Sequence, residues 1–195
     1  MRAVFLDKDG VINEDVDFLH RIEDLKFIPR AVKALVKLSE SFPADKFKII
    51  IASNQPVIGR GICTEKEFDE FTKKYFEELG KESKGKARID DYFYCPHHPT
   101  KGIGKYKVEC DCRKPKPGLL FQAEQKYKID LQKSFMVGDK RSDIVAGQSA
   151  GCFSILVKTG YGGKGGEGDE AKPDAECKDL YDAVELILKM VKKEK

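Results

Sequence analysis

Short apolar runs alternate along the chain with longer stretches in which apolar residues keep helical spacing. The runs are typical of buried parallel strands and lie at 3–6, 47–52, 92–94, 134–137 and 154–157. The amphipathic stretches predict helices around 32–38, 68–79, 119–127 and 180–191. This alternation predicts an α/β fold, a doubly wound parallel sheet with helices on both faces. Ligands of such sheets bind beyond the carboxyl ends of the strands.

The spacing of these elements predicts a single domain over residues 1–195. A chain of 195 residues can bury one sizeable core but is too short for two ordinary domains. Predicted structure already fills the intervals between the first three strands, so no large cap domain is expected. Two segments stand outside the alternation. One is a loop at 95–113 rich in Cys, His and Pro, and the other is a glycine-rich segment at 160–168 that predicts a surface loop.

Composition and charge narrow the class of protein. The chain is 41% hydrophobic and 35% charged, which indicates a globular protein rather than a disordered or membrane protein. Its net charge is +3, but basic and acidic residues are interleaved, so neither nucleic-acid nor membrane binding is expected. The first apolar run stops at Asp7, which predicts a strand rather than a signal peptide, and hence a cytoplasmic protein with reduced cysteines. No apolar surface face is evident, and we expect a monomer.

Polar and charged residues follow three of the predicted strands at the point where each strand ends. They are Asp7 and Asp9 after the first strand, Ser53 and Asn54 after the second, and Asp139 and Lys140 after the fourth. Lys114 opens the helix that precedes the fourth strand. Because the carboxyl ends of parallel strands meet at one edge of a sheet, we expect these side chains to converge there.

The converging residue types suit phosphoryl transfer at a magnesium ion. The carboxylates of Asp7 and Asp139 are hard oxygen ligands of the kind Mg²⁺ prefers. Lys114 and Ser53 would neutralise the phosphate oxygens as charge shifts in the transition state. A carboxylate can attack phosphorus, and Asp9 would protonate the leaving alkoxide and later accept a proton from water. The sequence therefore predicts a magnesium-dependent phosphomonoesterase.

These residues, in this order, resemble the motifs of the haloacid dehalogenase superfamily. The motifs are Asp-x-Asp-Gly at 7–10, Ser53, Lys114, and Gly-Asp-x-x-x-Asp at 138–143. The resemblance implies that Asp7 is the nucleophile of an aspartyl-phosphate intermediate, with Ser53 and Lys114 holding the phosphate. It also implies that the backbone carbonyl of Asp9 joins Asp7 and Asp139 around Mg²⁺. An aspartate at position 9 is typical of the phosphatases of the superfamily rather than of its dehalogenases.

The loop at 95–113 carries two pairs of candidate metal ligands. They are Cys95 with His97, and Cys110 with Cys112. Each pair is spaced i, i+2 on an extended segment, where alternate side chains face the same way, and this spacing selects His97 rather than His98. Three thiolates and one imidazole would close a tetrahedral, structural Zn²⁺ site. Arg113 and Lys114 follow directly, so a bound metal would also fix where these two cations point.

The sequence of this loop bears on the substrate. Its Cys-Pro-His-His-Pro start and Cys-Asp-Cys-Arg-Lys-Pro end resemble those of the D-glycero-D-manno-heptose 1,7-bisphosphate 7-phosphatases, and histidinol-phosphate phosphatases share this zinc loop. The resemblance implies a small phosphorylated sugar, with histidinol phosphate or another small sugar phosphate as the alternative. Without a cap, selectivity is expected from the loops at 14–20, 55–61 and 97–113. Arg60, Arg113 and Lys140 are candidate contacts for an anionic sugar.

A receiver-like signalling domain is an alternative of another class. Such domains also cluster aspartates and a lysine around Mg²⁺ on a parallel sheet. Asp9 argues against this alternative, because a general acid and base beside the nucleophile favours turnover over a lasting acyl phosphate. The lifetime of the phosphorylated form distinguishes the two classes.

Overall fold

The computed structural model describes residues 1–164 and 172–193. Its strands are β1 (Arg2–Leu6), β2 (Phe47–Asn54), β3 (Asp91–Cys95), β4 (Phe135–Gly138), β5 (Phe153–Val157) and β6 (Ala175–Cys177). The helices are α1 (Ala31–Ser41), α2 (Pro56–Gly59), α3 (Glu65–Glu82), α4 (Gly118–Tyr127), α5 (Arg141–Ser149) and α6 (Leu180–Lys193). Part of the predicted glycine-rich loop, residues 165–168, lies outside the described ranges.

The strands form one six-stranded parallel sheet in the order β3-β2-β1-β4-β5-β6. This confirms the predicted α/β fold, and the five predicted strands match β1 to β5. The apolar pattern does not predict β6, because its three residues, Ala-Glu-Cys, contain no buried position. It also misses α5, whose small and polar residues give weak amphipathic spacing.

Side chains of β1 point alternately into two buried layers. Val4 and Leu6 pack into the layer built by α1, α3 and α6, whereas Ala3 and Phe5 pack into the layer that contains α4. Because helices cover both faces, a strand of this sheet is a continuous apolar run rather than an alternating one. Burial on both faces explains why the strands could be identified in the sequence as short apolar runs.

The order of the strands reverses between β1 and β4. From β1 the chain builds outward through β2 and β3, and it then returns to place β4 on the other side of β1. In a doubly wound sheet such a switch point opens a crevice beyond the carboxyl ends of the two strands. The loops that follow β1, β2 and β4 therefore share one edge.

Helix α3 begins at a capping box and supports the loop that follows β1. The Glu67 amide donates to Thr64 Oγ1 (3.2 Å), and the Thr64 amide donates to Glu67 Oε2 (2.7 Å). This fixed start sets the register that buries Phe71 and Tyr75 beneath the loop. The Tyr75 hydroxyl donates to Oδ1 of Asn13 in that loop (3.2 Å).

Residues 95–113 form an extended loop between β3 and α4, with one short 3₁₀ turn at Gly104–Tyr106. Between β1 and β3, where every residue is described, the chain adds only short helices and α3 to the sheet. The expected lack of a large cap domain is thus seen in this part of the chain. Across the described ranges, no helix is both long enough and apolar enough to cross a bilayer.

Candidate active site

A pocket of about 260 Å³ opens beyond the carboxyl ends of β1, β2 and β4. Seven of the predicted site residues line it: Asp7, Asp9, Ser53, Asn54, Arg113, Lys114 and Lys140. Arg60 is not among the lining residues. Its guanidinium lies over the ring of Phe18, 4.6 Å from the ring centroid, and it is Phe18 that reaches the pocket.

Asp7 directly follows β1 and is 4% exposed. Its amide donates to Val137 O (2.9 Å), which ties the residue to β4 across the switch point. Its Oδ1 accepts a hydrogen bond from Lys114 Nζ (2.9 Å). Burial raises the pKa of Asp7, but Lys114 and then Lys140 outweigh burial and lower that pKa below its ordinary value. The carboxylate is therefore ionised near neutral pH and available as a nucleophile.

Lys114 is held from several sides at the base of the pocket. Its backbone amide donates to Asn54 Oδ1 and its carbonyl accepts from Asn54 Nδ2, both at 3.0 Å. Its Nζ donates to Ala52 O (2.7 Å) and lies 2.6 Å from Asp143 Oδ1. Burial lowers the pKa of Lys114, but Asp143 and Asp7 outweigh burial and raise it. A lysine fixed in this way acts as a permanent positive charge beside the Asp7 carboxylate.

Asp139 lies under the loop after β1 and is fully buried. Its Oδ2 accepts from the Tyr161 amide (2.8 Å), whereas its Oδ1 has no hydrogen-bond partner within the described structure. A Cβ at Gly10, whose φ is +89°, would lie 2.2 Å from Oδ2, so only glycine fits there. Oxygens of Asp7, Asp139 and Asp143 all lie within 4.8 Å of one another. A buried carboxylate oxygen without a hydrogen-bond partner, in a cluster of acids, fits a hard divalent cation.

Asp143 caps the start of α5 and also belongs to the cluster of acids with Asp7 and Asp139. Its Oδ2 accepts from the Lys140 amide (2.9 Å), which caps the helix, and its Oδ1 pairs with Lys114. Burial raises the pKa of Asp143, although Lys114 opposes the rise. A Cβ at Gly138 would lie 2.1 Å from Asp143 Cβ, so the glycine that ends β4 is what lets Asp143 approach.

Lys140 extends along the pocket wall. Its Nζ donates to Asp15 Oδ2 (2.8 Å) and lies 4.7 Å from the centroid of the Tyr161 ring. Burial lowers the pKa of Lys140, but Asp7, Asp139 and Asp15 outweigh burial and raise it. Its side chain remains 22% exposed, so the ammonium can meet an anionic ligand.

The carboxylate of Asp9 is turned toward α3 and β2. Its Oδ1 accepts from Lys8 Nζ (2.5 Å) and Asn13 Nδ2 (2.8 Å). Its Oδ2 accepts from Gln55 Nε2 (2.8 Å), and the same Gln55 nitrogen also donates to Ser53 Oγ (3.1 Å). The side chain of Asp9 thus faces the pocket without joining the acidic cluster.

The structure brings the four candidate zinc ligands of the 95–113 loop together. Cys95 Sγ lies 3.5 Å from Cys110 Sγ and 3.8 Å from His97 Nδ1. Cys112 Sγ lies 3.2 Å from Cys110 Sγ and 3.4 Å from His97 Nδ1. A Zn–S bond of about 2.3 Å would place two thiolates of a tetrahedral site about 3.8 Å apart, so the observed spacing suits zinc. Hydrogen bonds from Cys95, then Cys110 and His97, lower the pKa of Cys112 to about 5, which provides a thiolate.

Several residues of the site were not singled out by sequence reasoning. Lys8 was passed over because a lysine in a polar turn is normally exposed, yet it is 1% exposed here. Gln55 follows Asn54 directly and could have been found as another polar residue at the end of β2. Tyr161 lies in the glycine-rich segment, and the contact of its amide with Asp139 depends on a turn at Gly160 (φ +56°) that no sequence pattern specifies.

The buried carboxyl of Asp139 should make the stability of the fold depend on pH when Mg²⁺ is absent. Burial, and next the charge of Asp7, raise the pKa of Asp139 to about 8, whereas an unfolded aspartate titrates near about 4. Between these values the folded state keeps a proton that the unfolded state has lost, so stability should fall as pH rises from about 4 to about 8. Thermal unfolding at several pH values, without added Mg²⁺, measures this slope. Saturating Mg²⁺ and Asp139→Asn should each flatten it, and an equally steep slope in that variant would contradict the assignment.

Comparisons with known proteins agree with this geometry. Residues 111–183 match a family model described as HAD-hydrolase-like. A D-glycero-alpha-D-manno-heptose-1,7-bisphosphate 7-phosphatase of Photorhabdus laumondii is 43% identical over 164 residues, 83% of this chain and 85% of the relative. A D-glycero-beta-D-manno-heptose-1,7-bisphosphate 7-phosphatase of Pasteurella multocida is 41% identical over 160 residues, 82% of this chain and 83% of the relative.

A solved structure shares the fold along nearly the whole chain. The crystal structure of D,D-heptose 1,7-bisphosphate phosphatase from B. bronchiseptica, complexed with magnesium and phosphate, superposes with a TM-score of 0.80. The two chains are 30% identical, and the match covers 97% of this chain and 99% of that one. The chain therefore belongs to the HAD-like hydrolase family. Within that family it is a phosphatase, the class of these relatives, and this sets aside the receiver-like alternative.

Proposed function

We propose that this phosphatase is magnesium-dependent and forms an aspartyl-phosphate on Asp7. The observation that supports this most is the arrangement of Asp7, which lies among Asp139, Asp143 and Lys114 at the switch point of the sheet. An ionised carboxylate beside a fixed lysine and a cluster of acids suits attack on a phosphate held by a cation. The HAD-like family and the magnesium complex of the structural neighbour favour the same chemistry.

In this mechanism the nucleophile, the groups that hold the phosphate and the general acid are different side chains. Asp7 attacks phosphorus in line while Lys114 and the Ser53 hydroxyl hold the phosphate oxygens. Asp9 donates a proton to the leaving alkoxide, then takes one from the water that releases phosphate from Asp7. Asp7, Asp139 and the carbonyl of Asp9 would hold Mg²⁺, which supplies charge neutralisation when bound.

The zinc loop has a structural task in this proposal. Cys95, His97, Cys110 and Cys112 would fill all four positions of a tetrahedral zinc ion and leave none for water. Arg113 follows the last ligand and donates to His97 O (3.2 Å). A closed site would thus fix Arg113 and, one residue later, Lys114.

We infer that the substrate is D-glycero-D-manno-heptose 1,7-bisphosphate, from which the 7-phosphate is removed. Relatives with this activity in their names match most of the chain. A bisphosphate needs a second anion site outside the acidic cluster, and the pocket offers Lys140 and Arg113 for it. Histidinol phosphate is the second candidate, because Asp15 and Asp17 also line the pocket and would suit a cationic substrate.

A panel assay tests the substrate. Phosphate release with Mg²⁺ is measured for both heptose 1,7-bisphosphate anomers, histidinol phosphate and other small sugar phosphates. We expect kcat/KM for a heptose bisphosphate to exceed that for histidinol phosphate by at least about tenfold, roughly 1.4 kcal/mol of transition-state binding. Phosphorus NMR of the product should show the 1-phosphate retained. A preference for histidinol phosphate would replace the substrate but keep the chemistry, and equal rates across the panel would remove the heptose assignment.

A further inference from the structure

The carboxylate of Asp9 has two oxygens in different surroundings. Oδ1 accepts from the Lys8 ammonium and from the Asn13 amide, at 2.5 Å and 2.8 Å. Among the described residues, a single donor reaches Oδ2, the Gln55 amide at 2.8 Å. Gln55 lines the pocket together with Asp9, whereas Lys8 and Asn13 are 1% and 0% exposed and lie beneath it.

This asymmetry decides where the acid form of Asp9 can hold its hydrogen. A proton on Oδ1 would point at N–H hydrogens of two donors that have no lone pair to accept it. Oδ2 has a free lone-pair direction, so the O–H must form there. We propose that Lys8, Asn13 and Gln55 are positioning residues that reserve Oδ1 of Asp9 as an acceptor and place the transferable proton on Oδ2. This inference rests on the proposed role of Asp9 as general acid.

Lys8 is buried in the core, and its ammonium reaches Asp9. A buried ammonium is costly unless a charge or another favourable group meets it. Its Nζ pairs with Asp9 and lies 5.7 Å and 5.4 Å from the ring centroids of Phe71 and Tyr75, within the range of cation–π attraction. The charge therefore has Asp9 and two aromatic faces as partners, and its position follows from the packing of α3.

The orientation of Asn13 is equally fixed. Its Oδ1 accepts from the Tyr75 hydroxyl (3.2 Å), and its Nδ2 donates to Glu14 O as well as to Asp9 (both 2.8 Å). A flipped amide would turn an acceptor toward Asp9 Oδ1 and Glu14 O, which are acceptors themselves, and it would lose both of these bonds. Asn13 therefore presents a donor to Oδ1.

Gln55 connects the acid to the phosphate site. The two hydrogens of its Nε2 are directed to Asp9 Oδ2 and to Ser53 Oγ. Since Ser53 is expected to hold a phosphate oxygen, one amide sets the distance between the acid and the transferring group. Removing it would leave Oδ2 free to turn away from the leaving oxygen.

Protons balance over the two steps of the reaction. In the first step the Asp7 oxygen bonds to phosphorus, the bond from phosphorus to the alkoxide breaks, and the proton on Asp9 Oδ2 moves to the alkoxide. In the second step water bonds to phosphorus, the bond to Asp7 breaks, and the water proton returns to Oδ2. The sum is hydrolysis of one phosphate ester, with Asp7 ionised and Asp9 protonated again.

Leaving-group dependence tests the proposal. p-Nitrophenolate leaves without a proton, whereas an alkoxide such as that of glycerol 3-phosphate needs one. The ratio of kcat/KM for glycerol 3-phosphate to kcat/KM for p-nitrophenyl phosphate should fall about tenfold to a hundredfold in Gln55→Ala and in Lys8→Met, since general acid catalysis is worth about 10²- to 10⁴-fold. The exposed Gln122→Ala on α4 is the matched control and should keep the ratio.

The outcomes separate this inference from the proposed function. A loss of both activities in equal proportion in Gln55→Ala would mean a structural role and would overturn the inference. Asp9→Asn should lower the same ratio more than either variant does. If Asp9→Asn leaves the ratio unchanged, Asp9 is not the acid and the proposed mechanism fails with it. If Lys8→Met does not fold, Gln55→Ala, at a residue that lines the pocket, still decides.

Discussion

Asp7→Asn is expected to lower phosphate release with every substrate on the order of a thousandfold or more, because the amide cannot form the covalent intermediate. The buried ion pair of Asp7 with Lys114 is lost, but the repulsion between Asp7 and the acids Asp139 and Asp143 is lost as well. We therefore expect the variant to fold. Steady-state phosphate release and thermal unfolding of the same preparation measure both effects.

The exposed Asp45→Asn is the matched control for this change and should keep full activity. Mass spectrometry of acid-quenched enzyme adds a direct readout, since a phosphorylated species should form in the unmodified protein and be absent in Asp7→Asn. Turnover by the variant within tenfold of the unmodified rate, in a folded protein, would rule out Asp7 as the nucleophile.

Cys110→Ser is expected to remove the zinc ion and to destabilise the protein by at least about 3 kcal/mol, because metal binding at closed sites contributes directly to folding. KM should rise together with this loss, since Arg113 and Lys114 follow the last ligand of the same loop. Elemental analysis should find about one zinc per chain before the change. Denaturant unfolding and steady-state kinetics measure the two consequences.

Cys177→Ser is the control for the zinc variant, because Cys177 is a partly exposed thiol on β6 outside the ligand cluster. It should keep the zinc content and KM. Unchanged kinetics in a folded but zinc-depleted Cys110→Ser protein would show that the loop does not position Arg113 and Lys114, even if the metal stabilises the fold.

The placement of the main site residues could be predicted because residues with suitable side chains directly follow the apolar runs of the strands. Asp7, Ser53 and Asp139 each follow a buried run, and parallel strands bring such positions to one edge without any knowledge of side-chain packing. The clustering of the candidate zinc ligands could be predicted as well, since i, i+2 spacing on extended chain puts two side chains on the same side. Local patterns were sufficient in both cases.

Contacts that depend on packing between distant elements could not be predicted. Lys8 is buried only because aromatic residues of α3, some sixty positions later, cover it, and composition favours an exposed lysine. Arg60 is a second case. Its guanidinium lies over the Phe18 ring and it is not among the residues that line the pocket, so its contact with substrate stays a prediction. Both outcomes are set by tertiary geometry that a local pattern does not contain.

The hold of Asn54 on the backbone of Lys114 has a consequence for redesign. Cys95 lies at the end of β3, and the backbone of Lys114 is hydrogen-bonded to Asn54 at the end of β2. Both ends of the loop between them are therefore held by the sheet. We expect that residues 98–109, which lie between the two pairs of candidate metal ligands, can be replaced while Lys114 keeps its place. New preferences for phosphate esters would be sought there first.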